Sequence, residues 1–292
     1  METGIKMRKH KKFIIHIGTT AVLLIFAVIA ISPIILLFTG TFMGTQEIKG
    51  YIAPVLGSGD GYAVWQLLPQ YPTLRNVVEL LLDSPEFFQM FWNSVKITGG
   101  ILIGQIVFGI PAAWGLARYE FPGKRQIYLC YVVLMMMPFQ VTMLSEYLVL
   151  DRIGLLDTLA AVILPGVFST FPPFIMYRFF AELPEALLEA ARVDGAGELA
   201  IFGRVGLPVG KTGILSALML QFLECQSMVE RPMTFLKTKE LWPLTLYLPE
   251  INLEQAGFAL CASFFTLLPV MCVFVSGQDY LEQGIAASAI KE

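Results

Sequence analysis

The chain has 292 residues, of which 56% are hydrophobic and only 15% charged, and its mean hydropathy is +0.68. A soluble domain of that length needs far more polar surface, so the composition places the chain among integral membrane proteins. A net charge of −3 argues against nucleic acid as a partner, because phosphate recognition needs clustered Lys and Arg.

A membrane-crossing helix needs about 20 mainly apolar residues. The first such run, 13–38, follows Lys6, Arg8, Lys9, Lys11 and Lys12, which resemble the basic start of a signal peptide. The run is about twice the length of a signal core and ends without a small-residue cleavage site, so it reads as a retained helix. The connection 40–92 follows. In it Leu74, Val77, Val78, Leu81 and Leu82 recur at helical spacing, which predicts a short amphipathic helix on the outer face. Trp65, Phe87, Phe88 and Trp92 suit interfacial positions.

Five more apolar runs cover 93–117, 127–150, 159–180, 212–228 and 256–275. Gln105, Pro111, Pro138, Gln140, Glu146, Pro165, Pro172 and Pro173 fall inside them. Polar and helix-breaking residues at membrane depth face neighbours or a cavity, because an unpaired polar group in hydrocarbon is costly. With the amino terminus inside, the inner segments carry thirteen Lys and Arg and the outer segments seven. That bias predicts six spans with both termini in the cytoplasm. The expected organisation is a tail, first span and outer loop over 1–92, a five-helix core over 93–280, and a cytoplasmic tail over 281–292.

Cys130, Cys225, Cys261 and Cys272 are scattered without CxxC spacing and read as small buried hydrophobes. His10 and His16 are the only histidines, and no convergent acid/base or metal cluster accompanies them. Nothing in the pattern points to an enzyme.

Between the fourth and fifth runs lies "ELPEALLEAARVDGAGELAIFGRVGLP", residues 182–208. A helix over 183–193 puts Glu182, Glu185, Glu189 and Arg192 on one face, at steps of three, four and three. Leu183, Leu187, Ala190 and Ala191 then supply a low-relief apolar surface. Pro184 suits the first turn, and Asp194-Gly195 is a stop signal. A second short helix is expected over 197–205. The pattern fits either a solvated loop or a rigid knob awaiting a basic partner.

Glu189-Ala190-Ala191, Gly195 and Val205-Gly206-Leu207-Pro208 stand at the spacing of the EAA loop of ATP-binding-cassette (ABC) importer permeases, with Val205 in place of the family Ile. "AAWGLARYEFPGK" (112–124), "GLLDTLAAVILPGVFSTF" (154–171) and the tail "GIAASAIKE" also resemble the carbohydrate-uptake branch, especially its maltose-permease-like second subunit. The resemblance covers about 72–292. It implies an all-α, type I importer bundle of six transmembrane helices in the cell membrane. It also implies a second homologous permease subunit, two cytoplasmic ATPase subunits, an extracytoplasmic solute-binding protein and a carbohydrate substrate. Glu185, Glu189, Ala190, Ala191, Arg192, Asp194, Gly195, Leu207 and Pro208 would form the ATPase-docking, or coupling, element. ATP and Mg would sit on the ATPase subunits, with no cofactor on this chain.

"GLPVGKT" (206–212) mimics a phosphate-binding loop, but it has three residues between its glycines where four are needed, contains Pro208 and follows no strand pattern. Gln221 and Glu224, three apart, are expected to share a face and, with Gln140 and Glu146, to line a substrate pathway. Contacts with neighbouring helices are the competing role for these four. At "ECQSMVERP" (224–232) the chain departs from the family, many of whose members have a Trp-Asn pair there. Glu146 and Glu224 also leave an ion-coupled secondary transporter as the alternative.

Overall fold

The computed structural model describes residues 2–56, 62, 66–247 and 255–289. Trp65 and the last three residues of the tail "GIAASAIKE" lie outside them. All regular structure among the described residues is helical. The chain forms two compact units, one of residues 1–84 and 249–267, the other of 85–248 and 268–292.

The first unit opens with α1 (Glu2–Thr41), which carries the apolar stretch Ile17–Thr41. α2 (Thr45–Leu56) and α3 (Arg75–Leu82) follow. α3 covers only part of the face that its apolar periodicity predicts: Val77 and Leu81 are half-buried. Leu74, Val78 and Leu82 are exposed, while Asn76 and Leu80 are buried. The reason is polar: the Asn76 amide donates to the carbonyls of Thr41 (3.2 Å) and Met43 (3.0 Å). It thereby satisfies carbonyls that the end of α1 leaves without helical partners.

The second unit is built on α4 (Pro85–Gly104) and α5 (Ile110–Arg118), joined by a widened π turn over Gln105–Gly109. Pro111 explains the widening. It has no N–H to continue the ladder and its ring crowds the preceding turn, so an extra residue is absorbed there. α6 (Lys124–Met136) and α7 (Phe139–Arg152) meet at 106°, so the expected third apolar run, 127–150, is sharply bent at its proline. Met137 precedes Pro138 and takes extended backbone, as pre-proline residues tend to.

α8 (Leu159–Val167) and α9 (Phe171–Ala181) form one span, interrupted by three residues before Pro172 and Pro173. α10 (Glu185–Val193) and α11 (Glu198–Ile201) carry the charged segment. A second π turn, Phe202–Gly206, then precedes Pro208 for the same reason as the first. α12 (Leu207–Val209), α13 (Lys211–Ser227) and α14 (Glu230–Phe235) complete this part. α15 (Ala256–Ala289) contributes its first turns to the first unit and the remainder to the second.

Among the described residues four helices are long and apolar enough to cross a membrane: Ile17–Thr41, Pro85–Arg118, Leu159–Ala181 and Ala256–Glu282. Two bent pairs, α6 with α7 and Glu198–Val209 with α13 (71°), bring the number up to six if each is one span. α4 and α8 approach closely because small residues face large ones. A Cβ on Gly104 would lie 2.2 Å from Val167, and one on Gly166 would lie 2.6 Å from Ile101. Cys225 and Cys261 are buried as expected, but Cys130 and Cys272 lie on helix exteriors. In a membrane protein the apolar outside is as good a place for a thiol as the inside.

Candidate functional site: the charged segment and an interior cavity

The segment 182–208 is tied to the second unit by both packing and charge. Leu188 and Ile201 are fully buried with Leu183 beside them, against Ile110, Trp114 and Phe180. Trp114 meets Phe180 edge-on at 5.2 Å and lies 5.5 Å from Phe202. Gly206 closes the joint, since a Cβ there would stand 2.6 Å from the Trp114 ring. The expected apolar surface thus divides. Leu183 and Ala191 turn inward, whereas Leu187 and Ala190 stay exposed.

A chain of charges crosses this base. Arg118, at the end of α5, places Nη1 3.2 Å from Glu185 Oε2 and donates through Nη2 to the Leu183 carbonyl at 2.6 Å. The other oxygen of Glu185 accepts from Arg192 Nη1 at 3.0 Å, and Arg192 Nε reaches Glu198 at 3.0 Å. The Tyr119 hydroxyl donates to the remaining Glu198 oxygen at 3.1 Å. Exposed ion pairs singly contribute about 0–1 kcal/mol, but the Arg118 side chain is only 9% exposed and holds a carbonyl as well. It is therefore the strongest tie in the chain.

α10 ends as the Asp194-Gly195 signal predicts. Gly195 has φ +81°, its N–H donates to the Arg192 carbonyl, and Ala196 N–H donates to that of Ala191, both at 3.0 Å. This double bond pattern with a left-handed glycine is a Schellman termination. The expected second helix is shorter than 197–205, because the π turn takes over at Phe202. Of the predicted acidic face, Glu185 is spent internally. Glu189 has no ion pair or side-chain hydrogen bond among the described residues and points to solvent. Leu207 is half-buried and Pro208 exposed, at the base of the segment. Nothing about the "GLPVGKT" stretch resembles a phosphate cradle, since Gly210 is packed against Phe180.

The predicted pathway residues separate into two groups. A cavity of about 660 Å³ in the second unit is lined by Glu146 and Glu224, together with Thr142, Glu230 and Arg231. Gln140 stands behind it, its amide donating to both oxygens of Glu230 at 2.6 and 2.8 Å. Gln221 does not share the exposed face of Glu224. It is 1% exposed and turned into the helix packing, with its amide near Cys225 Sγ at 3.6 Å. Three residues advance a helix by about 300°, and here the remaining 60° separates cavity from interior. Sequence reasoning also missed Arg118, Tyr119, Leu188 and Arg231 as site residues. Their partners are distant in the chain, so no local spacing marks them.

This geometry defines an all-helical, multi-pass membrane protein with broken spans and a rigid polar loop. The family model of the inner-membrane component of binding-protein-dependent transport systems matches residues 105–225. A probable ABC transporter permease protein of Pyrococcus horikoshii is 30% identical, over 78% of this chain and 85% of its own length. The diacetylchitobiose uptake permease of Streptomyces coelicolor is 29% identical, over 87% and 82%. An arabinooligosaccharides transport permease of Halalkalibacterium halodurans is 26% identical, over 76% and 81%. Among solved structures, a chain of a bacterial ABC transporter that imports the acidic polysaccharide alginate superposes with a TM-score of 0.75, at 22% identity, over 91% and 96%. The chain belongs to the ABC importer permease family: it is an inner-membrane transport component, and ATP hydrolysis in such systems resides on separate subunits. Membership decides against the ion-coupled alternative.

Proposed function

We propose that the chain is one of two permease subunits of an ATP-driven carbohydrate importer, and that its segment 182–208 couples ATPase closure to the switch between inward-open and outward-open states. The single observation that carries the coupling role is the mechanical one. α10 is pinned by Leu188 and Arg118, yet presents Leu187, Ala190 and the unpaired Glu189 to solvent. A handle must be stiff on the side of the bundle and adhesive on the other.

Six spans with both termini cytoplasmic place this handle on the cytoplasmic side, as the Lys/Arg bias favours. The bent pairs α6–α7 and α11–α13 would then each count as one span. The partners on this reading are a homologous permease, two cytoplasmic ATPase subunits holding ATP and Mg, and an extracytoplasmic solute-binding protein. Docking by itself shifts nothing, because a partner with equal affinity for both states leaves their ratio unchanged. Reversing a 1:99 population needs about 5.5 kcal/mol of differential binding. ATP-driven closure of the ATPase pair supplies that preference, and the pinned helix transmits it. The carbohydrate class comes from the relatives, several of which are named for saccharide uptake.

The test is uptake into vesicles holding the complete transporter, with and without ATP. Glu189→Lys is expected to abolish uptake while the chain still inserts and assembles in the membrane. Uptake that survives the reversal of charge, or that proceeds without ATP, defeats the proposal.

A further inference from the structure

The cavity of the second unit lies where two broken helix pairs and the end of a third helix come together. Met137 belongs to the break between α6 and α7, Ser169 and Thr170 to that between α8 and α9, and Met228 to the end of α13. Non-helical backbone at membrane depth is tolerated where it lines a water-filled space, and transporters form substrate sites at such breaks. The cavity is thus an open one whose position follows from these breaks.

Its charge is unbalanced. Arg231 Nε lies 3.6 Å from Glu146 Oε2, and its guanidinium sits 5.2 Å above the Phe139 ring. That pair is locally neutral. Among the described residues the Glu230 carboxylate is held by the uncharged Gln140 amide alone, and the Glu224 carboxylate has no hydrogen bond or ion pair. Two exposed carboxylates therefore remain without a counter-charge among the described residues, and a cavity with an excess of one sign of charge attracts the opposite sign.

We infer that this cavity is a charge-selecting station of the permeation path: it admits a saccharide without net negative charge, whose hydroxyl or ammonium hydrogens donate to Glu224 and Glu230, and it excludes uronates and sugar phosphates. The inference rests on the reading of the chain as a permease subunit. The acidic cargo named for the solved alginate importer is of the excluded kind, so likeness of fold does not carry that cargo across.

The field is measurable without knowing the substrate. Ser227, on the cavity wall, is replaced by cysteine in a chain whose exposed Cys130 and Cys272 are serines. The same chain with Ser227 intact is the blank. In membranes containing the assembled transporter, this thiol is reacted with a trimethylammonium and with a sulfonate methanethiosulfonate. Each rate is divided by that reagent's rate with free thiol. The normalised cation-to-anion ratio is expected to exceed roughly threefold and to fall toward one in Glu224→Gln and further in the double change with Glu230→Gln. A ratio at or below one overturns the inference, and so does a Ser227→Cys thiol that neither reagent reaches until the chain is denatured. Loss of ATP-driven uptake would strike the functional reading instead, while the thiol ratio still decides the cavity's charge.

Discussion

Arg118 and Glu185, 67 residues apart in the chain, meet at 3.2 Å and lock the end of α5 to the start of α10. The same guanidinium donates to the Leu183 carbonyl, so it holds backbone as well as charge. Arg118→Met should keep the packing of the stem but lose both ties. A buried acceptor left without its donor costs about 1–3 kcal/mol. Amide exchange across 185–193 is therefore expected to speed up by roughly tenfold to a hundredfold, with exchange in α13 unchanged. Unaltered exchange in α10 would show that packing alone holds the segment.

Gly195 is a conformational requirement and not a steric one. Its φ is +81°, yet a Cβ there would meet nothing within 4 Å. Gly195→Ala should cost about 1–2 kcal/mol, the ordinary penalty for a left-handed residue, and Gly195→Asn should cost less. Gly195→Pro is incompatible with that backbone and is expected to abolish uptake without preventing insertion. Equal unfolding temperatures for the Ala, Asn and wild-type chains would contradict this account.

Gln105 is fully buried, and its amide donates to the carbonyls of Gly166 (3.1 Å), Val167 (2.8 Å) and Ser169 (3.2 Å). It covers the carbonyls that the end of α8 leaves exposed. Gln105→Leu should destabilise the fold by about 1–3 kcal/mol, read as a lowered unfolding temperature in detergent. Gln105→Glu should be worse, because a carboxylate cannot donate to these oxygens. If Glu is tolerated as well as Gln, the hydrogen bonds are not the reason for the residue.

Asp157 clips the loop between α7 and α8 to the segment after α14. Its carboxylate accepts from the Thr238 hydroxyl and from the backbone N–H groups of Thr238 and Lys237. The Thr238 hydroxyl bond is the foremost cause that holds its pKa below the ordinary 3.8. A depressed carboxylate stabilises the folded state above its unfolded value and loses that contribution as pH falls through its folded value. Below about pH 4 the wild-type chain should therefore approach Asp157→Asn in unfolding temperature, while at neutral pH it should exceed it. Asn accepts the same positive φ, 58° at this position, so the comparison isolates charge. A difference that persists unchanged into acid would refute the sign.

The membrane class, the apolar stretches, the charged segment 182–208 and its Asp194-Gly195 stop were legible in the sequence, because hydrophobic length and glycine chemistry are local properties. Even the π turns have a local origin, in Pro111 and Pro208. Which side chains serve the site was not legible in this way. Glu224 and Gln221 are equivalent in spacing, yet one faces a cavity and the other is enclosed. Leu74, Val77, Val78, Leu81 and Leu82 recur at helical spacing, yet Asn76 is buried more deeply than any of them. For Asn76 the outcome depends on groups far along the chain, the carbonyls of Thr41 and Met43; for Gln221 and Glu224 it depends on which face of α13 other elements cover. Periodicity along a helix determines which residues travel together. Only the tertiary structure decides which face is covered, because the elements that cover it come from distant parts of the chain.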